Sequence, residues 1–165
     1  MALKGDRHEL ETDISYFMNE TAGQGFFASL STVGSGAAMD DAAAIVTLAA
    51  DGSGKICAGV LLNEMVNLDL TRQHINWHKD EVQKGSKVTL LKKGWVVTNA
   101  VLGTPAVGNK AYLANSGYVT TTPNVAGTVA ISGVTVKVDD YNQQVGVFMS
   151  KKDADGYAKI GVNVA

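Results

Sequence analysis

From residue 42 onward the apolar residues come in short runs separated by Gly, Asn and Asp, and that punctuation constrains the fold more than any other feature of the chain. Runs of about four to eight residues are too short for packed helices and suit strands, which need a turn residue at each end. The strongest case lies at the C-terminus. Val145, Val147 and Met149 alternate with Gly146, Phe148 and Ser150; Asp153-Ala154-Asp155-Gly156 turns the chain; Ala158, Ile160, Val162 and Val164 alternate on the way back. Period-two alternation around an Asp/Gly turn predicts a hairpin. Just upstream, Val129 and Ile131 share one phase while Val134, Val136 and Val138 share the other, so a bulge or turn is expected at Ser132-Gly133.

The same reading extends backwards. Ala43 to Ala50 and Lys55 to Leu62, joined by Asp51-Gly52-Ser53-Gly54, are spaced as a hairpin. A further strand is expected through Val66, Leu68 and Leu70, and Lys87 to Asn99 reads as two strands or as one strand bent at Gly94. With 18 glycines in 165 residues and almost no helical periodicity, the predicted fold is all-β. It is a single antiparallel β-barrel or sandwich-like body (42–165) carrying a long N-terminal arm (1–41), with at most one short helix.

Two structures are open to the arm. Leu10, Ile14, Phe17 and Met18 would share one face of a helix that Asp6 and Glu9 could cap. Thr12, Ile14, Ser15, Tyr16 and Phe17 are indifferent helix formers, which equally allows an extended segment. Gly23, Gly25, Gly34 and Gly36 surround the apolar run Phe26 to Leu30, and so many glycines need a surface to order them. Either that run packs on the body as a strand, or Phe17, Met18, Phe26 and Phe27 anchor the arm in a partner.

Composition narrows the function classes. No apolar run reaches the ~18 residues of a membrane span, and the charged start MALKGDRHELE lacks the apolar core of a signal peptide. A single cysteine, Cys57, sits among apolar neighbours and reads as a buried packing residue, in keeping with synthesis in a reducing cytoplasm. The net charge of −2 conceals an acidic half, residues 1–80, and a basic half, residues 81–165. Such asymmetry allows the acidic half of one subunit to meet a basic face on a neighbour. No basic stripe with interleaved aromatics is present, so direct nucleic-acid binding is not expected.

No catalytic or metal-binding motif in the sequence is complete. His74 and His78 stand four apart in TRQHINWH, but two ligands without a convergent third do not make a metal site. Gly103 to Lys110 has the glycines of a phosphate loop yet places Asn109 where lysine belongs, and lacks a following Ser/Thr or helix, so it reads as a loop entering a strand at Ala111 to Leu113. Asp153 and Asp155 suit a turn for backbone reasons. No nucleophile elbow occurs, and the expectation is a protein that is not an enzyme and uses no cofactor or metal.

Three stretches are more telling together: GDRHELETDISYFMNETA (Gly5 to Ala22), VNLDLTRQHINWHKDEVQKGSKVTLLKKGWVVTN (Val66 to Asn99) and VGVFMSKKDADGYAKIGVNV (Val145 to Val164). The chain resembles head decoration, or capsid cement, proteins of tailed bacteriophages. The resemblance implies a virion structural protein, made in the host bacterial cytoplasm, that binds the outer surface of the head through the major capsid protein and stabilises the expanded lattice. It implies homo-oligomers, trimers before dimers, with a β-rich body and an arm reaching over neighbouring subunits. On this chain the contact residues would be Phe17, Met18, Phe26 and Phe27 of the arm, with Arg72, His74, Trp77 and His78 of the Arg72 to Lys79 segment. The alternative is a tail or head-fibre β-module that binds another virion protein or a host glycan, the latter in a groove framed by Trp77, Trp95, Tyr112 and Tyr118.

Overall fold

The computed structural model describes residues 2–31, 45–64, 81–123, 128–131, 134–137 and 142–164, with backbone alone for 63–64, 128–131 and 134–137. The expected strand through Val66, Leu68 and Leu70, and Arg72, His74, Trp77 and His78, lie outside the described residues.

The first segment is extended. Strand β1 runs over Leu3–Met18, 16 residues, followed by the short β2 (Ala22–Gly23), β3 (Phe27–Leu30) and β4 (Ile45–Thr47). Then come β5 (Cys57–Glu64), β6 (Glu81–Val82) and β7 (Lys87–Thr98), the last a single strand where two were equally open. Past these lie β8 (Lys110–Leu113), a single 3-10 turn at Asn115–Gly117, β9 (Val119–Thr120), β10 (Thr128–Ile131), β11 (Val134–Lys137), β12 (Gln144–Phe148) and β13 (Ala158–Asn163). The all-β expectation is met, as is the β12–β13 hairpin; β10 and β11 pair antiparallel, while Ser132-Gly133, where a bulge or turn is expected, lie outside the described residues.

One expected hairpin is not there. β4 and β5 do not pair with each other; β3 lies between them, antiparallel to both. The Asp51 to Gly54 turn signal is genuine, but the apolar run Phe27 to Leu30 supplies a better partner for both strands, since it can bury both of its faces. A central strand that is covered on each side favours a continuous apolar run over an alternating one.

Nine strands form one sheet in the order β1-β4-β3-β5-β7-β13-β12-β8-β9, and β1 pairs again with β7. That extra pairing closes β1-β4-β3-β5-β7 into a ring, antiparallel except for the parallel contact of Phe17 and Met18 with Ile45 and Val46. β13, β12, β8 and β9 continue from β7 as a second layer. Two cores result. Met18, Ala22, Ala28, Val46, Ala58, Leu61, Val82, Val88 and Leu90 form one; Leu3, Phe27, Cys57, Val60, Leu62, Leu91, Val96, Phe148 and Ile160 belong to the other. Ala28 and Phe27 are successive residues on β3 and point into different cores, so β3 is a wall shared by both. Each fully buried Phe or Leu of such a wall contributes about 1.5–3 kcal/mol.

Glycines reset the alternation where a strand must keep serving the same core. On β5, Cys57 and Val60 reach one core although their positions differ in parity, and the reversal falls at Gly59, with φ of +145°. On β7 the reversal between Leu91 and Val96 falls at Gly94, with φ of +142°. One residue of slip turns every later side chain to the opposite face, and an L side chain is strained at such φ.

Candidate functional site

The outward surface of the second layer is built by cross-strand register. Lys110 of β8 faces Val147 of β12, Val147 faces Gly161 of β13, Gly161 faces Trp95 of β7, and Trp95 faces His8 of β1. The next row, Phe148, Ile160 and Val96, points inward and is fully buried. Along β12, Val145 and Phe148 are buried while Val147 and Met149 are exposed. A bulge between Gln144 and Gly146 against β8 accounts for that break in phase. The alternation of Val145, Val147 and Met149 in the sequence therefore does not mark the core face. By contrast Ala158, Ile160, Val162 and Val164 are all buried, as their alternation suggests.

Polar partners decorate this face. The Lys159 ammonium lies 3.3 Å from the centroid of the Trp95 ring, and the His8 ring stacks on Trp95 at 6.3 Å. Cation–π contacts of this kind contribute about 0.5–1 kcal/mol at exposed sites. β1 is tied down by ion pairs: Lys93 to Glu11 at 2.9 Å, Lys92 to Asp13 at 3.1 Å, and Lys4 to Asp153 at 2.9 Å. Burial pushes the Asp13 carboxyl up, but the Ser15 hydrogen bonds and the Lys92 ammonium outweigh it and hold Asp13 below the usual carboxylate range. Burial likewise pushes Lys92 down, and its hydrogen bond and charge contact with Asp13 win, leaving it raised.

The turn aspartates behave as backbone hardware. Asp153 Oδ1 accepts the N–H groups of Asp155 and Tyr157, which orders the β12–β13 turn. The Cys57 thiol is buried and, by burial above all, pushed up to about 12, a poor state for a nucleophile. Where β1, β3 and β4 end, an open groove of about 530 Å³ is lined by Asn19, Glu20, Leu30, Thr47, Leu48, Asp51 and Lys55, among others. Glu20 Oε1 there accepts the Leu48 N–H at 2.7 Å and the Thr47 hydroxyl. Trp95, Tyr112 and Tyr118 do not line that groove; Tyr118 meets Phe26 edge-on at 5.2 Å. Among the described residues no cluster of three or more His, Cys, Asp or Glu side chains is placed to hold a metal ion.

The four arm residues divide. Met18 and Phe27 are fully buried, one in each core, whereas Phe17 and Phe26 are half-buried and retain surface for a partner. Sequence reasoning did not place Lys110, Val147 and Met149 on a shared surface, nor foresee the stacking of His8 and Lys159 on Trp95. The absence of any acid in β7, β8, β12 and β13 was the available signal.

These features define a β-structural module: a shared-wall double core, charges committed to tying strands together, and a long edge strand displayed at the surface. The chain matches the family described as structural cement protein (E217 gp24/Pam3 gp6) over residues 5–163, and it belongs to that family of phage structural proteins. That membership implies a structural, non-enzymatic role associated with the virion capsid. No curated protein matches the chain.

Proposed function

We propose that this protein binds the outer surface of a tailed-phage head, contacts the major capsid protein, and stabilises the expanded lattice as a homo-oligomer. Membership of the cement family carries the reading. The form of β1 supports it: residues 5–12 are exposed while the strand remains hydrogen-bonded to β7, so a rigid, pre-ordered strand is presented to neighbours. A pre-ordered element loses less entropy on docking than a free arm, and repetition over an icosahedral lattice multiplies a weak contact. Phe17 and Phe26, together with the Arg72 to Lys79 segment that holds His74, Trp77 and His78, supply the shell contacts.

The experiment is co-sedimentation of purified protein with expanded heads that lack it, alongside unexpanded heads, followed by thermal rupture of the loaded particles. Saturable binding to expanded heads with a raised rupture temperature is the expected result. Failure to bind, or binding without any gain in rupture temperature, would refute the lattice-stabilising role.

A further inference from the structure

Two surfaces of the fold differ in charge, and among the described residues each keeps an unpaired charge and exposed apolar side chains beyond the ion pairs that tie β1 to β7. β7, β8, β12 and β13 hold no Asp or Glu; of their lysines, Lys92 and Lys93 pair with Asp13 and Glu11 of β1, and β8, β12 and β13 carry Lys110 and Lys159. On their outer face Val147 and Met149 are 39% and 49% exposed. β1, in contrast, carries Asp6, Glu9, Glu11 and Asp13 against Lys4 and Arg7, and its Leu10 is 72% exposed. Before Phe17 the outer edge of β1 has no strand partner among the described residues.

We propose that the acidic β1 of one copy docks on the basic outer face of β8, β12 and β13 of a second copy, with Leu10 set against Val147 and Met149. The complementarity lies within one sequence: an acidic strand with an exposed leucine, and an acid-free face with exposed valine and methionine. Asp6 and Lys110 make no ion pair among the described residues and are available to the contact. The Arg7–Glu9 and Lys93–Glu11 pairs are exposed, so exchanging them for pairs between copies costs little, since such pairs contribute about 0–1 kcal/mol. Because two different surfaces meet, the contact is head-to-tail and propagates to a closed ring or a chain. A nucleic acid fits less well, because the apolar centre at Val147, Gly161 and Met149 offers phosphate nothing and β1 borders the face with acid.

The contact specifies the interface of the homo-oligomer in the proposed function, on which it rests, and is tested in solution without heads, so that its failure is distinct from a failure of head binding. Sedimentation equilibrium would compare the wild type with Leu10→Asp and with the double variant Val147→Asp/Met149→Asp, each checked for folding by its thermal melt. Wild type should self-associate, and each variant should associate at least about tenfold more weakly. An equimolar mixture of the two should form dimers that neither forms alone, because one intact surface of each kind remains. Lys110→Glu, at an exposed position, repeats the test of the basic face if the double variant does not fold. A wild type that is monomeric at about 100 μM, variants that associate like wild type, or a mixture that stays monomeric would each overturn the proposal. So would variants that associate normally but lose binding to heads or to a DNA oligonucleotide, which would assign the face to those ligands instead.

Discussion

Replacing Gly94 by alanine should detach the middle of β1. A Cβ built at Gly94 lies 2.0 Å from the His8 carbonyl oxygen and 3.1 Å from its carbon, so the two backbones must separate. The φ of +142° adds strain of about 1–3 kcal/mol for a residue with a side chain. Loss of one or two ladder hydrogen bonds near Glu9 adds about 0.5–1.5 kcal/mol each. Reduced freedom of alanine in the unfolded chain returns about 0.4–1 kcal/mol. The net expectation is a destabilisation of about 2–4 kcal/mol, or a fall in Tm of about 5–15 °C for a domain of this size. Urea unfolding followed by far-UV circular dichroism measures the first quantity. Amide exchange locates it: protection should be lost at His8 and Glu9 before it changes at Ile160 or Val96. A loss below about 0.5 kcal/mol with His8 and Glu9 still protected would show that the close approach of β1 to Gly94 is not what holds the strand.

Other positions give independent checks. Ser29 is fully buried and its hydroxyl has no hydrogen-bond partner among the described residues, so Ser29→Ala should be neutral or stabilising by up to about 1 kcal/mol; a loss above 1 kcal/mol in urea unfolding would reveal an unseen partner. Asp13 has a depressed pKa in the fold, so it contributes stability above its unfolded pKa of about 3.9 that disappears as pH falls through the lower folded value. Asp13→Asn should lose less than about 1 kcal/mol at pH 7 and show a flatter stability profile below pH 4; an unchanged acid limb would refute the linkage. Cys57 should resist maleimide or disulfide reagents at pH 8 until the chain unfolds, and rapid labelling of the native protein would contradict its burial.

The hairpin of β12 and β13 was legible because its information is local: an Asp/Gly turn and the alternation of Ala158, Ile160 and Val162 do not depend on remote residues. The loop that enters β8 and the buried character of Cys57 were legible for the same reason. The β4–β5 pairing was misread because a turn signal states where a chain reverses, not which strand arrives between the two arms. The surface that bears Lys110, Val147, Trp95 and His8 was invisible in one dimension, since it assembles five strands drawn from opposite ends of the chain.

By itself the sequence determined that the protein is all-β, where its clearest turns fall, that Cys57 is a packing residue, and which phage family the chain resembles. Tertiary structure alone decided that the first segment is a strand rather than a helix. Leu10, Ile14 and Met18 satisfy either periodicity, and the choice falls to β7, which offers backbone partners along nearly the full length of β1. Only the fold, too, could decide that Phe27 and Met18 stand in separate cores, because a strand with both faces buried has no alternation to read.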